Sequence, residues 1–205
     1  DMRAEDGRVL QKEVNLHGAS FEDMVRAVLD ETPSTSQGTG KVESARPLAV
    51  LSLQRFSGCQ ATDARAVARD YFTWLDRRSA PVLRIDRREP DRFAIFLRGI
   101  DVPLLVLAID AARSTRDRAV LEIRGGALAE RGGSRGVLEF RIVGDDLLAC
   151  VHGFAPRLPW PIYAATQARA HVAIMHAFGR HLAAEARAQK DAGAGKALPA
   201  FVAEA

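Results

Sequence analysis

The sequence predicts an α+β fold: about seven strands in an antiparallel sheet, followed by one long C-terminal helix. Two patterns carry this. Six extended segments succeed one another between residues 82 and 153 with only turns between them, which is how hairpin-connected strands read. Residues 162–188 then keep an apolar stripe at helical spacing. The composition allows such a fold, since 205 residues with 47% apolar and 27% charged side chains form one domain with a proper core, or one domain with an appendage. That balance excludes collagen-like, wholly disordered and disulfide-dense chains. The longest apolar run, residues 102–109, is far too short to cross a bilayer.

Taken in order, residues 8–16 read as a strand with Val14 and Leu16 on one face. Ser20 is placed as a helix N-cap with Asp23 as its box partner, and Phe21, Met24, Val25, Val28 and Leu29 recur at helical spacing. Residues 33–40 (PSTSQGTG) lack an apolar anchor and read as a linker or mobile loop. Residues 48–56 form a strand. Thr62 is expected to cap a helix carrying Val67, Tyr71, Trp74 and Leu75. The six extended segments are 82–86, 92–98, 103–110, 118–124, 136–143 and 146–153. The third is apolar on both faces and is expected to be a central, fully covered strand.

The last hairpin is the best specified. Gly144-Asp145 suits a two-residue type II′ loop, with glycine at the first central position. Counting outward from it, Ile142 faces Leu147, Phe140 faces Ala149 and Leu138 faces Val151, all on the core or cavity side. Glu139, Arg141, Cys150 and His152 then fall on the other side, and a slip of one residue would reverse every one of these. After Pro156, Pro159 and Pro161 the closing helix begins. His171, Met175, Phe178 and Leu182 share its apolar stripe, while Arg169, His176, Arg180 and Arg187 lie elsewhere on the wheel. The chain thus divides into a strand-helix extension with its Ser/Thr/Gly loop (residues 1–42), a main domain (43–188) and a frayed Ala/Gly-rich tail (189–205).

The order strand, helix, six antiparallel strands, long helix resembles the helix-grip fold of the START/Bet v 1-like (SRPBCC) superfamily. The resemblance covers residues 48–188 and rests on element order and the proline-rich lead-in APRLPWPIY. It implies a curved sheet wrapped round the closing helix, with an apolar cavity between them. Such proteins typically bind lipids, sterols or polyketides, and some branches act as cyclases or dehydratases. No invariant catalytic motif defines the superfamily. The first 42 residues depart from the minimal pattern. Either they add a strand and helix at the sheet edge, or residues 8–16 are the true first strand and the helix after Thr62 is an insertion.

Charge points to no particular partner. The net charge is +3, with 29 basic and 26 acidic residues, and all but Lys12, Lys41, Lys190 and Lys196 of the basic ones are arginine. Acids alternate with these bases, which is a mixed solvated face and not a nucleic-acid surface. Cys59 and Cys150 are too far apart in sequence for a redox or metal motif, and a disulfide between them is unforced. No cofactor or metal site is expected: His171, His176 and His181 are spaced by five, about 140° round a helix. No GxSxG elbow or phosphate loop is present, and the glycine-rich stretch 125–136 reads as a long hairpin loop. The chain opens at Asp1 without a charged-then-apolar leader, which fits a cytoplasmic protein or a mature exported one.

The function expected is binding or transport of a hydrophobic small molecule or lipid, without chemistry. Its walls would be Leu105, Leu107, Leu138, Phe140 and Ile142 from the sheet and His171, Met175 and Phe178 from the helix, with Tyr163 at the mouth. His171 has two readings, a ligand-orienting or proton-transferring imidazole and a core imidazole bonded to a strand carbonyl. A cyclase- or dehydratase-like enzyme would use His171 or Asp110 for proton transfer, with Tyr163 orienting. Asp110 reads equally as a turn cap. The Glu139–His152 pair is set aside because strand parity turns it away from the apolar face. A third reading is a scaffold with a filled cavity, its N-terminal extension docking a protein partner.

Overall fold

A computed structural model describes residues 50–87, 89–130 and 136–194. The expected strand at 8–16, the helix after Ser20, the loop 33–40, part of the glycine-rich loop (131–135) and the end of the tail lie outside the described residues.

Strand β1 (Val50–Phe56) is followed by helix α1 (Ala64–Arg78) and then by β2 (Leu83–Asp86), β3 (Arg92–Leu97), β4 (Pro103–Ile109), β5 (Arg118–Gly125), β6 (Val137–Val143) and β7 (Asp146–Phe154). A helical turn, α2 (Trp160–Tyr163), leads through a π-helical segment (Ala164–Ala168) into α3 (Arg169–Ala194). The seven strands form one antiparallel sheet in the order β1-β7-β6-β5-β4-β3-β2. First and last strands are therefore neighbours, and α1 carries the chain from one sheet edge to the other. The sheet curves into a half-barrel round the long helix. This is the helix-grip topology.

Of the two sequence readings of the first strand, the structure selects the one beginning near residue 48. β1 pairs with β7 along its length, from Val50 opposite Phe154 to Phe56 opposite Leu147. Nor is α1 an insertion, because it buries Ala64, Ala68, Tyr71, Phe72 and Leu75 against the sheet. Its N-cap is Asp63 and not the expected Thr62: the carboxylate accepts from the backbone N–H groups of Arg65 and Ala66. β4 is interior to the sheet but not covered on both faces, since only Leu107 and Ile109 are buried in it. The strands buried through consecutive residues are β1, β5, β6 and β7; α1 packs on β5 and β6, and α3 on β1. The closing helix also differs from one continuous helix over 162–188, being interrupted by the π segment and running on to Ala194.

The last hairpin has the register its turn dictates. Ile142 pairs with Leu147, Phe140 with Ala149 and Leu138 with Val151. Gly144 has φ 59°, whereas Asp145 is not among the residues at positive φ, as a type II′ loop requires. Leu138, Phe140, Leu147 and Ala149 belong to the core, and Ile142 and Val151 pack at its edge. On the outer face, the buried Glu139 carboxylate takes both Nε and Nη2 of Arg118 (2.9 and 2.8 Å) and Nε of Arg141 (3.0 Å). Both cysteines are free thiols, Cys150 buried in β7 and Cys59 half-buried after β1.

The core is held by rings from every layer. Phe72 of α1 stacks on Phe93 of β3 at 4.1 Å, and Tyr71 meets both Phe140 of β6 and Phe178 of α3. Phe72→Ala should cost about 3–5 kcal/mol in urea unfolding, the range for truncating a buried ring. Val102→Ala, at an exposed position, should stay within about 0.5 kcal/mol of the parent.

Candidate functional site

Two aromatic contacts fix how the closing helix lies along β1. Tyr163 meets Phe154, which pairs with Val50, at 6.5 Å; Phe178 meets Phe56 at 6.1 Å. The helix therefore runs in the direction of β1, from its Val50 end to its Phe56 end. Between these anchors the strand offers Ser52 and Gln54, because pairing of Gln54 with Ala149 and of Ser52 with Val151 puts both on the core face. The helical side offers Gln167 and His171, one turn apart and one and two turns ahead of Met175.

This strip is short of hydrogen bonds. Gln54 Nε2 donates to Ser52 Oγ at 2.6 Å, but among the described residues Gln54 Oε1, Gln167 Oε1 and His171 Nε2 are shielded from solvent and have no hydrogen-bond partner. Turning the Gln54 amide over would only exchange which end is left without one. A buried polar group without a partner costs about 1–3 kcal/mol. Gln54 comes from the strand, and Gln167 and His171 from the helical side that runs along it. Gln167 reaches the strip from the π-helical segment, where the wider turn brings Gln167 and Ala168 inward together. Such segments recur at functional sites.

His171 is held neutral. Its Nε2 is shielded from solvent, and burial pushes its pKa down from 6.5 to about 4. The expected carbonyl partner for that nitrogen is not found among the described residues.

Of the other residues expected at the site, Leu107, Leu138, Phe140, Tyr163, Met175 and Phe178 are buried, while Leu105 and Ile142 are half-buried against the core. Toward the Phe56 end, Tyr71 of α1 stands between Phe140 and Phe178, with ring centroids 5.5 and 5.0 Å away. Asp110 holds its own turn, accepting from the N–H groups of Ala112 and Arg113. Glu139 and His152 lie on the outer face, where the acid is paired with arginines. Ser52, Gln54 and Gln167 were not anticipated from the sequence.

A separate cleft of about 410 Å³ opens beside the β4–β5 end, between Val102, Arg124, Glu130 and Arg157. Gly126 forms part of it at φ 124°, with backbone so close to Leu104 that any Cβ would collide with that residue's carbonyl. The cleft shares no residue with the expected walls. No protein-family model matches the chain, and no curated protein matches it. No helix among the described residues is long and apolar enough to cross a membrane.

With its pKa below that of the unfolded chain, His171 makes the folded state bind fewer protons between pH 4 and 6.5. Its stabilising contribution is complete above pH 6.5 and is lost as pH falls toward 4. His171→Gln should flatten this part of the stability curve by about 3 kcal/mol. In NMR titrations the ring Hε1 signal of His171 should show no inflection near pH 6.5.

Proposed function

We propose that the protein binds or carries a hydrophobic small molecule or lipid between sheet and closing helix, without chemistry of its own. The observation that carries this is the strip of Gln54, Gln167 and His171, whose buried polar atoms lack partners inside an otherwise apolar face. A ligand supplying those partners would recover the cost of leaving them bare. The apolar contacts would come from Leu105, Leu107, Leu138, Phe140, Ile142, Tyr163, Met175 and Phe178. Two amides and a neutral imidazole offer no countercharge, so the polar group best suited is an uncharged hydroxyl, ester or amide. The topology supports placing the chain in the SRPBCC superfamily; in this reading residues 43–188 are the binding domain and 1–42 an extension for a protein partner.

A cyclase- or dehydratase-like reaction in the same place would need paired proton-transfer groups. Asp110 is engaged by its own turn, so that reading rests on His171, with Tyr163 orienting.

Native mass spectrometry and organic extraction of the purified chain should recover a neutral amphiphile. Gln54→Leu separates binding from folding. Removing a buried amide that is only half satisfied should leave the apo protein as stable as the parent, or up to about 1 kcal/mol more stable. It should also weaken binding of a fluorescent monoacylglycerol at least tenfold. Absence of a co-purifying mass, together with no binding of labelled monoacylglycerol, sterol or fatty acid, would overturn the proposal in favour of a filled-core scaffold.

A further inference from the structure

On the outside of the helical layer, α1 and α3 bring together three side chains that neither helix could assemble alone. His181 and Glu185 sit one turn apart on α3, and Asp70 comes from α1. His181 Nε2 lies 3.5 Å from Asp70 Oδ2 and 3.4 Å from Glu185 Oε1, and one ligand atom of each residue falls within 4.8 Å of the other two. We propose that these residues form a binding site for a divalent transition metal such as Zn²⁺, with one coordination position left for water or an external ligand.

Distance separates this from a direct hydrogen bond. Nitrogen–oxygen hydrogen bonds close to about 2.7–3.2 Å. Here both separations exceed that range, and His181 Nε2, though shielded, forms no hydrogen bond among the described residues. Ligands at about 2.0–2.1 Å from a tetrahedral ion stand about 3.3–3.4 Å apart. The two edges at His181, 3.4 and 3.5 Å, lie at or just above that length. One nitrogen and two carboxylates suit zinc, cobalt or nickel better than calcium or magnesium, which prefer oxygen alone.

The surroundings hold the imidazole in place. Trp74, one turn beyond Asp70 on α1, stacks on His181 with centroids 5.8 Å apart and planes at 19°. Phe178, one turn before His181, packs against Tyr71, the residue next to Asp70. The ring packing that sets the gap between the helices therefore also sets the ligand spacing. The Asp70 and Glu185 side chains are 46% and 48% exposed, so an ion has a path in and two carboxylates neutralise its charge.

The test is calorimetric titration of chelator-stripped full-length protein with Zn²⁺, repeated with Co²⁺ to read geometry from its visible absorption. One equivalent should bind, Co²⁺ should give the intense bands of a four-coordinate site, and Zn²⁺ should raise Tm. Asp70→Asn and Glu185→Gln should each weaken binding more than about tenfold. His181→Ala should abolish it. Should His181→Ala fold poorly for want of its stack on Trp74, the two exposed carboxylate variants carry the test. Zn²⁺ that does not bind the parent, or that binds it no more tightly than Asp70→Asn and Glu185→Gln, overturns the proposal.

Discussion

Phe178 stands where the sheet and the two long helices meet. Its ring, with no exposed surface, touches Phe56 of β1, Tyr71 and Trp74 of α1, Phe140 of β6 and His181 one turn on. Rings of this size bury about 150–250 Å² each and add about 0.5–1.5 kcal/mol per well-set pair beyond that burial. The cluster holds α1 and α3 side by side over the same sheet. It also divides the inner face. Toward the Phe56 end the space is filled with rings; toward the Val50 end the helix bears on a strip that rings do not satisfy.

Glu139 and Gln54 show what that division means. Each is 1% exposed. Glu139 would be the more costly group to bury alone, yet it is fully engaged by Arg118 and Arg141 and serves to lock β5 to β6. Gln54, the milder group, keeps one end bare. Burial alone therefore does not distinguish a satisfied polar residue from one with a bare end. The pairing does.

Local chemistry made most of the fold legible. Gly144-Asp145 fixes its own turn, and the turn fixes six cross-strand partners. The proline-rich lead-in marks where the sheet stops. β1 was harder, because LSLQRF alternates so that its leucines ought to face the core. Leu53 does not: pairing with β7 puts it opposite Cys150 on the outer face and turns Ser52, Gln54 and Phe56 inward. That choice is made by a partner strand about a hundred residues away. The same holds for Asp70, whose nearness to His181 depends on two helices meeting. His171 was legible on its stripe, but its bare Nε2 was not, since a missing partner leaves no trace in periodicity.

The π-helical segment determines how this chain can vary. Tyr163 and His171 are eight residues apart, which in a plain α-helix would leave them about 80° out of line. The wider turn of residues Ala164–Ala168 absorbs that excess, letting Tyr163 reach Phe154 while Met175 and Phe178 stay in the core. A chain one residue shorter here would run as regular α-helix with Tyr163 and His171 seven residues apart, only about 20° out of line. Tyr163 would then stay on Phe154, while the wide turn that carries Gln167 inward would be lost. Chain length at this point therefore decides whether Gln167 turns inward, without changing how the closing helix docks on the sheet.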